Sequence, residues 1–233
     1  MKVSVFLLSG VITVAVLAGP VPSPSDVIVE NYCAASKRQA EGMQGATMEV
    51  EIAGSIPKLK KQGRLHAFRH ITALGRITYD ALKFQGDDTI KKNVIAKYLQ
   101  AEEQSLHDPN VAVTPDNYHF KYKGRNQVDG REVHVFDVSP KKKRQGLYRG
   151  QLWVDAATSL RVQESGYLVK NPSIVLRKVQ FVRKYEIRDG VSVPRQMQSV
   201  ADTWLVGKTQ LTVDYTNFSA EPKSSGLGDL ENQ

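Results

Sequence analysis

The chain has one cysteine, Cys33, among its 233 residues. An intramolecular disulfide is therefore excluded, and packing of side chains and closure of secondary structure must hold the fold. No His or acidic residue adjoins Cys33, so it reads as a small packing residue of a helix and not as a reactive thiol. Motifs of catalysis are missing too. There is no Gly-x-Ser-x-Gly elbow, no Gly-rich phosphate loop and no His-Glu-x-x-His zinc helix. Internal repeats of 20–50 residues are absent, which excludes solenoids and propellers.

What is present is positive charge. The formal net charge is +8 and the isoelectric point is near 9.5. The basic residues are spread over many segments, so a nucleic-acid partner is not expected. The one concentrated run is Lys141-Lys142-Lys143-Arg144, placed between Ser139-Pro140 and Gly146 at the tip of a hairpin. It is either a solvated tip or a patch that meets anionic headgroups or an acidic envelope partner, where each cation contributes on the order of 1 kcal/mol at a membrane surface.

Lys2 followed by the apolar stretch Val3 to Val16 and by Val16-Leu17-Ala18 has the layout of an export signal cleaved near Ala18. The stretch is shorter than the ~20 residues a bilayer core requires and breaks at Gly19-Pro20. Export with cleavage, and a periplasmic, soluble, monomeric product, is the expectation. Residues 1–18 are then the signal, 19–25 a Pro/Ser tether, 26–219 one domain and 220–233 a disordered Gly/Ser/acidic tail.

A first helix is expected from Asp26 to Ala40, with Ser25-Asp26 as its N-cap region and Val29, Tyr32, Cys33 and Ala40 as its apolar face. Strands follow at Ala46–Ala53, Lys60–Ile71 and Gly75–Phe84. A second helix, Ile90–Leu106, is capped by Asp88-Thr89 and stopped by His107-Asp108-Pro109. Its apolar face is Val94, Ile95, Tyr98 and Leu99. Seven strands complete the chain: Tyr118–Gly124, Glu132–Val138, Leu147–Asp155, Leu160–Leu168, Ile174–Ile187, Ser192–Ala201 and Gln210–Phe218. Asp129-Gly130 and Asp189-Gly190 mark tight hairpins, because type I′ turns need residues that tolerate positive φ. About ten strands against two helices give a mainly β, α+β fold built on an antiparallel meander.

Three phrases carry a family resemblance: Val128-Asp129-Gly130-Arg131-Glu132-Val133, Phe136-Asp137-Val138-Ser139-Pro140-Lys141 and Gly150-Gln151-Leu152-Trp153-Val154-Asp155-Ala156-Ala157-Thr158. With Val179-Gln180-Phe181, Tyr185 and Gly190-Val191-Ser192-Val193-Pro194, they resemble the outer-membrane lipoprotein-sorting, or LolA-like, family over the last half of the chain. The resemblance implies a strongly curved antiparallel sheet, a half-barrel with helices across its concave face, and a cavity that shields the acyl chains of a lipoprotein or lipid. Carriers of that family use an Arg early in the sheet that contacts the lid. Arg64, Arg69 and Arg76 are the candidates, and no motif selects one. The family's receptor branch is lipid-anchored, and no Cys follows the apolar run directly, so a carrier-like or orphan binding role is expected.

The candidate cavity lining is Phe68, Phe120, Phe136, Trp153, Phe181 and Trp204. Strand parity does not say which face is concave, so each is equally a candidate for ordinary core or for the opposite face. The helix Ile90–Leu106 is either a lid over the cavity or a permanent plug. In the second case the protein is a non-enzymatic interaction module of the envelope. No cofactor and no metal are expected: His66 and His70 fall about 13 Å apart on a strand, and His119 and His134 have no nearby Cys. A hydrolase remains the residual alternative.

Overall fold

The computed structural model describes residues 23–105 and 109–220. The expected export segment, His107-Asp108 and the tail from 221 onward lie outside the described residues, so neither the cleavage near Ala18 nor the tail enters the structural account.

Helix α1 spans Pro24–Gly42 and begins two residues before the expected start. Its N-cap is Ser23 and not the Ser25-Asp26 pair: the Ser23 hydroxyl accepts from the Asp26 amide while the Asp26 carboxylate accepts from the Ser23 amide. Pro24 at the first position loses nothing, since that N–H has no helical acceptor. The buried stripe is Val29, Tyr32, Ala35 and Gln39. Cys33 is half-buried and packs against the cluster beneath the helix, as expected of that face, whereas Ala40 is exposed, which corrects one member of it. A polar Gln39 is tolerated there because its amide donates to the Ser192 carbonyl at 2.8 Å.

The strands are β1 (Thr47–Ile56), β2 (Lys61–Ile71), β3 (Ile77–Gly86), β4 (Tyr118–Val128), β5 (Arg131–Pro140), β6 (Tyr148–Asp155), β7 (Arg161–Leu168), β8 (Leu176–Arg188), β9 (Val191–Thr203) and β10 (Gly207–Ser219). They form one ten-stranded sheet in the order β3-β2-β1-β10-β9-β8-β7-β6-β5-β4. Every neighbour is antiparallel. Only the β1–β10 ladder joins strands far apart in sequence. Because β3 and β4 do not pair, the sheet stays an open half-barrel. Both edge strands are kinked, β3 at Ala81 (φ 48°) and β4 at Gly124 (φ 113°), which blunts them against edge-to-edge pairing.

Turn chemistry appears as the sequence requires. Asp129-Gly130 and Asp189-Gly190 all have positive φ. In the Asp155-x-x-Thr158 turn the Asp155 carboxylate accepts from the Thr158 amide at 2.9 Å and its hydroxyl at 2.7 Å. Gly150 of the same phrase faces Gly166 across β6–β7, and a Cβ on Gly150 would stand 1.9 Å from the Ser165 carbonyl oxygen. Only glycine permits that approach.

The helical insertion is compound. Asp87, not Asp88 or Thr89, caps it by accepting from the Thr89 amide. A short α2 (Asp88–Ile90) passes through a π-helical turn (Lys91–Ile95) into α3 (Ala96–Ser105). Cross-strand register puts Phe181, Ser199 and Leu211 on one face. Both helices lie on that face. Under α1 is a cluster of Val29, Tyr32, Phe136, Tyr148, Leu152 and Phe181 with neighbours; under α2–α3 is one of Ile52, Leu65, Ile90, Ile95, Met197 and Val213 with neighbours.

Candidate functional site

The helix-bearing face holds both an apolar surface and a belt of buried charge. Three expected lining residues reach it. Phe136 and Phe181 are buried and Phe120 packs partly against them, with Phe120–Phe136 and Tyr148–Phe181 ring pairs edge to face. The other three do not. Phe68 lies on the opposite face, paired in register with Glu49 and 38% exposed. Trp153 packs there too, with Val133, Val135 and Val162. Trp204 is 66% exposed at the β9–β10 tip. A strand's alternation divides its residues into two faces and leaves open which one a helix covers.

The apolar face of the second helix goes to the sheet: Ile95 is buried, and Val94, Tyr98 and Leu99 pack partly on the same cluster. Its first turn is seated on bare backbone. Cβ atoms on Gly54 and Gly63 would meet the Ile90 Cγ2 at 2.9 and 3.2 Å, so these two glycines form the seat for a fully buried Ile90. Lys61 ties the same end down by donating to Asp87 Oδ1 at 3.4 Å and to the Thr89 hydroxyl at 2.7 Å.

The α3 end is held by polar groups. Arg69 on β2 donates to Glu102 Oε1 at 3.1 Å, the Tyr79 hydroxyl bonds to Glu102 Oε2, and the Tyr98 and Tyr215 hydroxyls meet at 3.0 Å. The structure thereby separates the three early arginines. Arg64 is exposed beside Glu51 on the other face, Arg76 is exposed in the β2–β3 turn, and Arg69 is 5% exposed beneath α3. Burial is the largest influence on Arg69 and works against its charge, but the Glu102 carboxylate together with the Tyr215, Tyr79 and Tyr98 phenols outweighs it, so the guanidinium pKa is raised. Burial first, and Glu102 next, hold the Tyr79 phenol above its ordinary value. For Tyr98 burial likewise comes first, followed by Tyr215.

A second knot lies under α1. Glu164 of β7 is 1% exposed and takes Arg161 at 3.4 Å, Arg183 at 3.5 Å and the Tyr185 hydroxyl at 3.0 Å. Burial, then Glu164, push the Tyr185 phenol up to about 12. Three donors on this face, Arg69 Nε, Arg161 Nε and Tyr148 Oη, are buried without a partner among the described residues. Sequence reasoning missed this belt. Its only trace was a charged or phenolic residue at positions whose strand parity is otherwise apolar, such as Arg69 after Leu65 and Ala67.

The remaining expectations fall as follows. Lys141–Arg144 sits between β5 and β6, with Lys141 to Lys143 exposed. His66 and His70 are on β2, His70 beside Asp80 at 2.8 Å. His119 opposes Ser139 and His134 opposes Arg125, so these two are not neighbours. Among the described residues no group of three or more His, Cys, Asp or Glu is placed to hold a metal, and no described helix is long and apolar enough to cross a membrane.

No protein-family profile matches the chain, and no curated protein matches it. Solved structures do. A DUF1329 family protein from Desulfovibrio piger aligns over 89% of this chain and 96% of its own, at 15% identity and a TM-score of 0.48. A LolA superfamily protein from Nitrosomonas europaea aligns over 86% of this chain and 95% of its own, at 12% identity and a TM-score of 0.39. A putative outer membrane lipoprotein-sorting protein domain from Vibrio parahaemolyticus aligns over 86% and 94%, at 12% identity and a TM-score of 0.40. The latter two bear the name of the family that the strand phrases resemble. The chain itself folds as an open antiparallel half-barrel with helices on one face.

Proposed function

We propose that the chain is an exported, non-enzymatic carrier or binding protein for an apolar or acylated ligand, a lipid or lipoprotein, taken up between the sheet and helix α3. The observation that carries this is the uneven hold on the second helix. Its first turn is locked by Ile90 on two glycines, while its later turns rest on half-buried Val94, Tyr98 and Leu99 and on the Arg69–Glu102 and Tyr98–Tyr215 contacts. Such a segment is a lid hinged at its π-helical turn, a helix irregularity often found at functional sites. Opening uncovers apolar surface, and each CH₂ of an acyl chain buried there is worth about 0.8 kcal/mol. Of the unpartnered donors, Arg69 Nε lies beneath α3 and suits the carbonyl oxygen of an acyl ester or amide.

The alternative is an interaction module in which the helix never leaves and the Lys141–Arg144 tip, with Lys141 to Lys143 exposed, docks on an envelope partner. The buried Ile90 and Ile95 favour it. The two readings separate on one experiment. The chain is expressed with its own N-terminal segment, purified gently from the periplasm and examined by native mass spectrometry beside analysis of an organic extract. Stoichiometric lipid or lipoprotein is the expected result. A clean apo mass, unchanged after incubation with acylated peptides, overturns the carrier reading in favour of the module.

A further inference from the structure

One rim of the sheet gathers exposed apolar side chains in a way that neither a packed core nor a ligand cavity requires. The β1–β2, β9–β10 and β7–β8 tips follow one another along it, because β1 pairs with β10 and β9 with β8. The Trp204 amide donates to the Val175 carbonyl at 3.1 Å, and the Lys58 side chain approaches Gly207, where an added Cβ would lie 3.6 Å from it. On these tips Ile174 is 94% exposed, Leu205 77%, Trp204 66% and Leu59 43%. Cations ring them. Arg177 stacks over the Trp204 ring at 4.4 Å, and Lys58, Lys60 and Lys170 are exposed on the same turns. Just behind the tips an open depression of about 490 Å³ is lined by Arg177, Lys178, Thr203, Gly207 and Lys208, with Asp202 as its one carboxylate. Asp202 pairs in register with both Lys178 and Lys208, so cations outnumber it in the depression itself.

We propose that this rim docks the protein on an anionic lipid bilayer, with Ile174, Trp204 and Leu205 entering the interface and Arg177, Lys178 and Lys208 meeting lipid phosphates. A Trp beside Leu and Ile at a loop tip, backed by a collar of cations, matches an interface that is apolar inside and negatively charged at its surface. A protein partner of ordinary polarity would not need that layering. Charge complementarity extends along the rim, since the Lys141–Arg144 tip leaves the sheet on the same side, between β5 and β6. The proposal concerns the rim alone and holds whatever ligand the helix-bearing face takes.

The test is sedimentation of the exported chain with vesicles of phosphatidylglycerol and phosphatidylcholine, against vesicles of phosphatidylcholine alone. The expected result is binding to the first and little to the second. Trp204→Ser combined with Leu205→Ser is expected to weaken partitioning about tenfold or more, and each of Lys178→Gln and Lys208→Gln about fivefold. Those side chains are exposed, and circular dichroism checks that the sheet survives. In a Trp153→Phe background, Trp204 fluorescence is expected to shift to the blue and become shielded from an aqueous quencher on adding anionic vesicles. Absence of binding to either vesicle, undiminished binding of the Trp204/Leu205 variant, or loss only when Lys141–Arg144 are neutralised would each overturn the proposal. So would Trp204 fluorescence that vesicles leave unchanged.

Discussion

Replacing Glu102 by Ala asks whether the α3 end of the second helix is a lid. With the helix still docked, the substitution leaves the Arg69 guanidinium buried without its carboxylate, and Arg69 Nε already lacks a partner. Breaking a buried pair in this way costs about 3–5 kcal/mol. The protein has a way to avoid that cost if α3 can swing away, because Arg69 then regains water. Undocking exposes the partly buried Tyr98 and Leu99 and gives up the Tyr98–Tyr215 contact. At 1.5–3 kcal/mol for complete burial of a large apolar side chain, two half-buried ones amount to roughly 1.5–3 kcal/mol. The loss of global stability in Glu102→Ala is therefore capped near that smaller figure, while amide hydrogen exchange rises in residues 96–105 and stays slow at Ile90. Urea unfolding and hydrogen-exchange mass spectrometry measure the two quantities. A drop of the full about 3–5 kcal/mol with exchange in 96–105 unchanged would mean that the helix cannot leave the sheet, and the lid argument would fail. The double variant Arg69→Met, Glu102→Leu is expected to recover stability, since neither charge is then buried.

Ile90→Ala acts at the fixed end and is expected to lower global stability by about 2–5 kcal/mol, read as a urea midpoint, with no selective loosening of α3. Gly150→Ala forces the β6 and β7 backbones apart at Ser165 and Gly166 and is expected to cost more than about 4 kcal/mol, seen as insoluble expression or a large fall in Tm. Tyr118 is buried, and burial pushes its phenol up to about 12 from 10.0. The unfolded phenol ionises first, so its contribution of up to about 3 kcal/mol is intact below pH 10 and lost as pH rises toward 12; alkaline unfolding followed by tyrosinate absorbance checks it, and Tyr118→Phe should reduce that loss. For His134, burial and then Arg125 lower the pKa from 6.5. Its neutral form is favoured in the fold, so stability falls as pH drops below 6.5, and His134→Asn should flatten that fall in chemical-denaturation midpoints.

Strand count, hairpin positions and turn types were legible because they rest on local chemistry. Alternation marks Ala46–Ala53 as a half-buried strand, which the structure has as Thr47–Ile56, and Asp129-Gly130 and Asp189-Gly190 accept positive φ whatever surrounds them. The helix start, Pro24 with Ser23 as its N-cap, was misplaced by two residues because two Ser-x-x pairs compete locally and only backbone geometry decides between them. Half of the candidate lining went astray for a different reason. Phe68 and Trp153 alternate as regularly as Phe136 does, yet they belong to the face without helices.

The sequence by itself determined a meander of ten antiparallel strands with two helical insertions, since the period of apolar residues and the turn residues are written in short windows of chain. Tertiary structure alone decided that β1 closes on β10, that Arg69 and not Arg64 or Arg76 lies under α3, that Glu164 is encircled by Arg161, Arg183 and Tyr185, and that three distant tips share one apolar, basic rim. Parity along a strand carries one bit, inside or outside, with no label attached to either side. The label comes from which face the helices bury, and that depends on contacts between residues far apart in the chain.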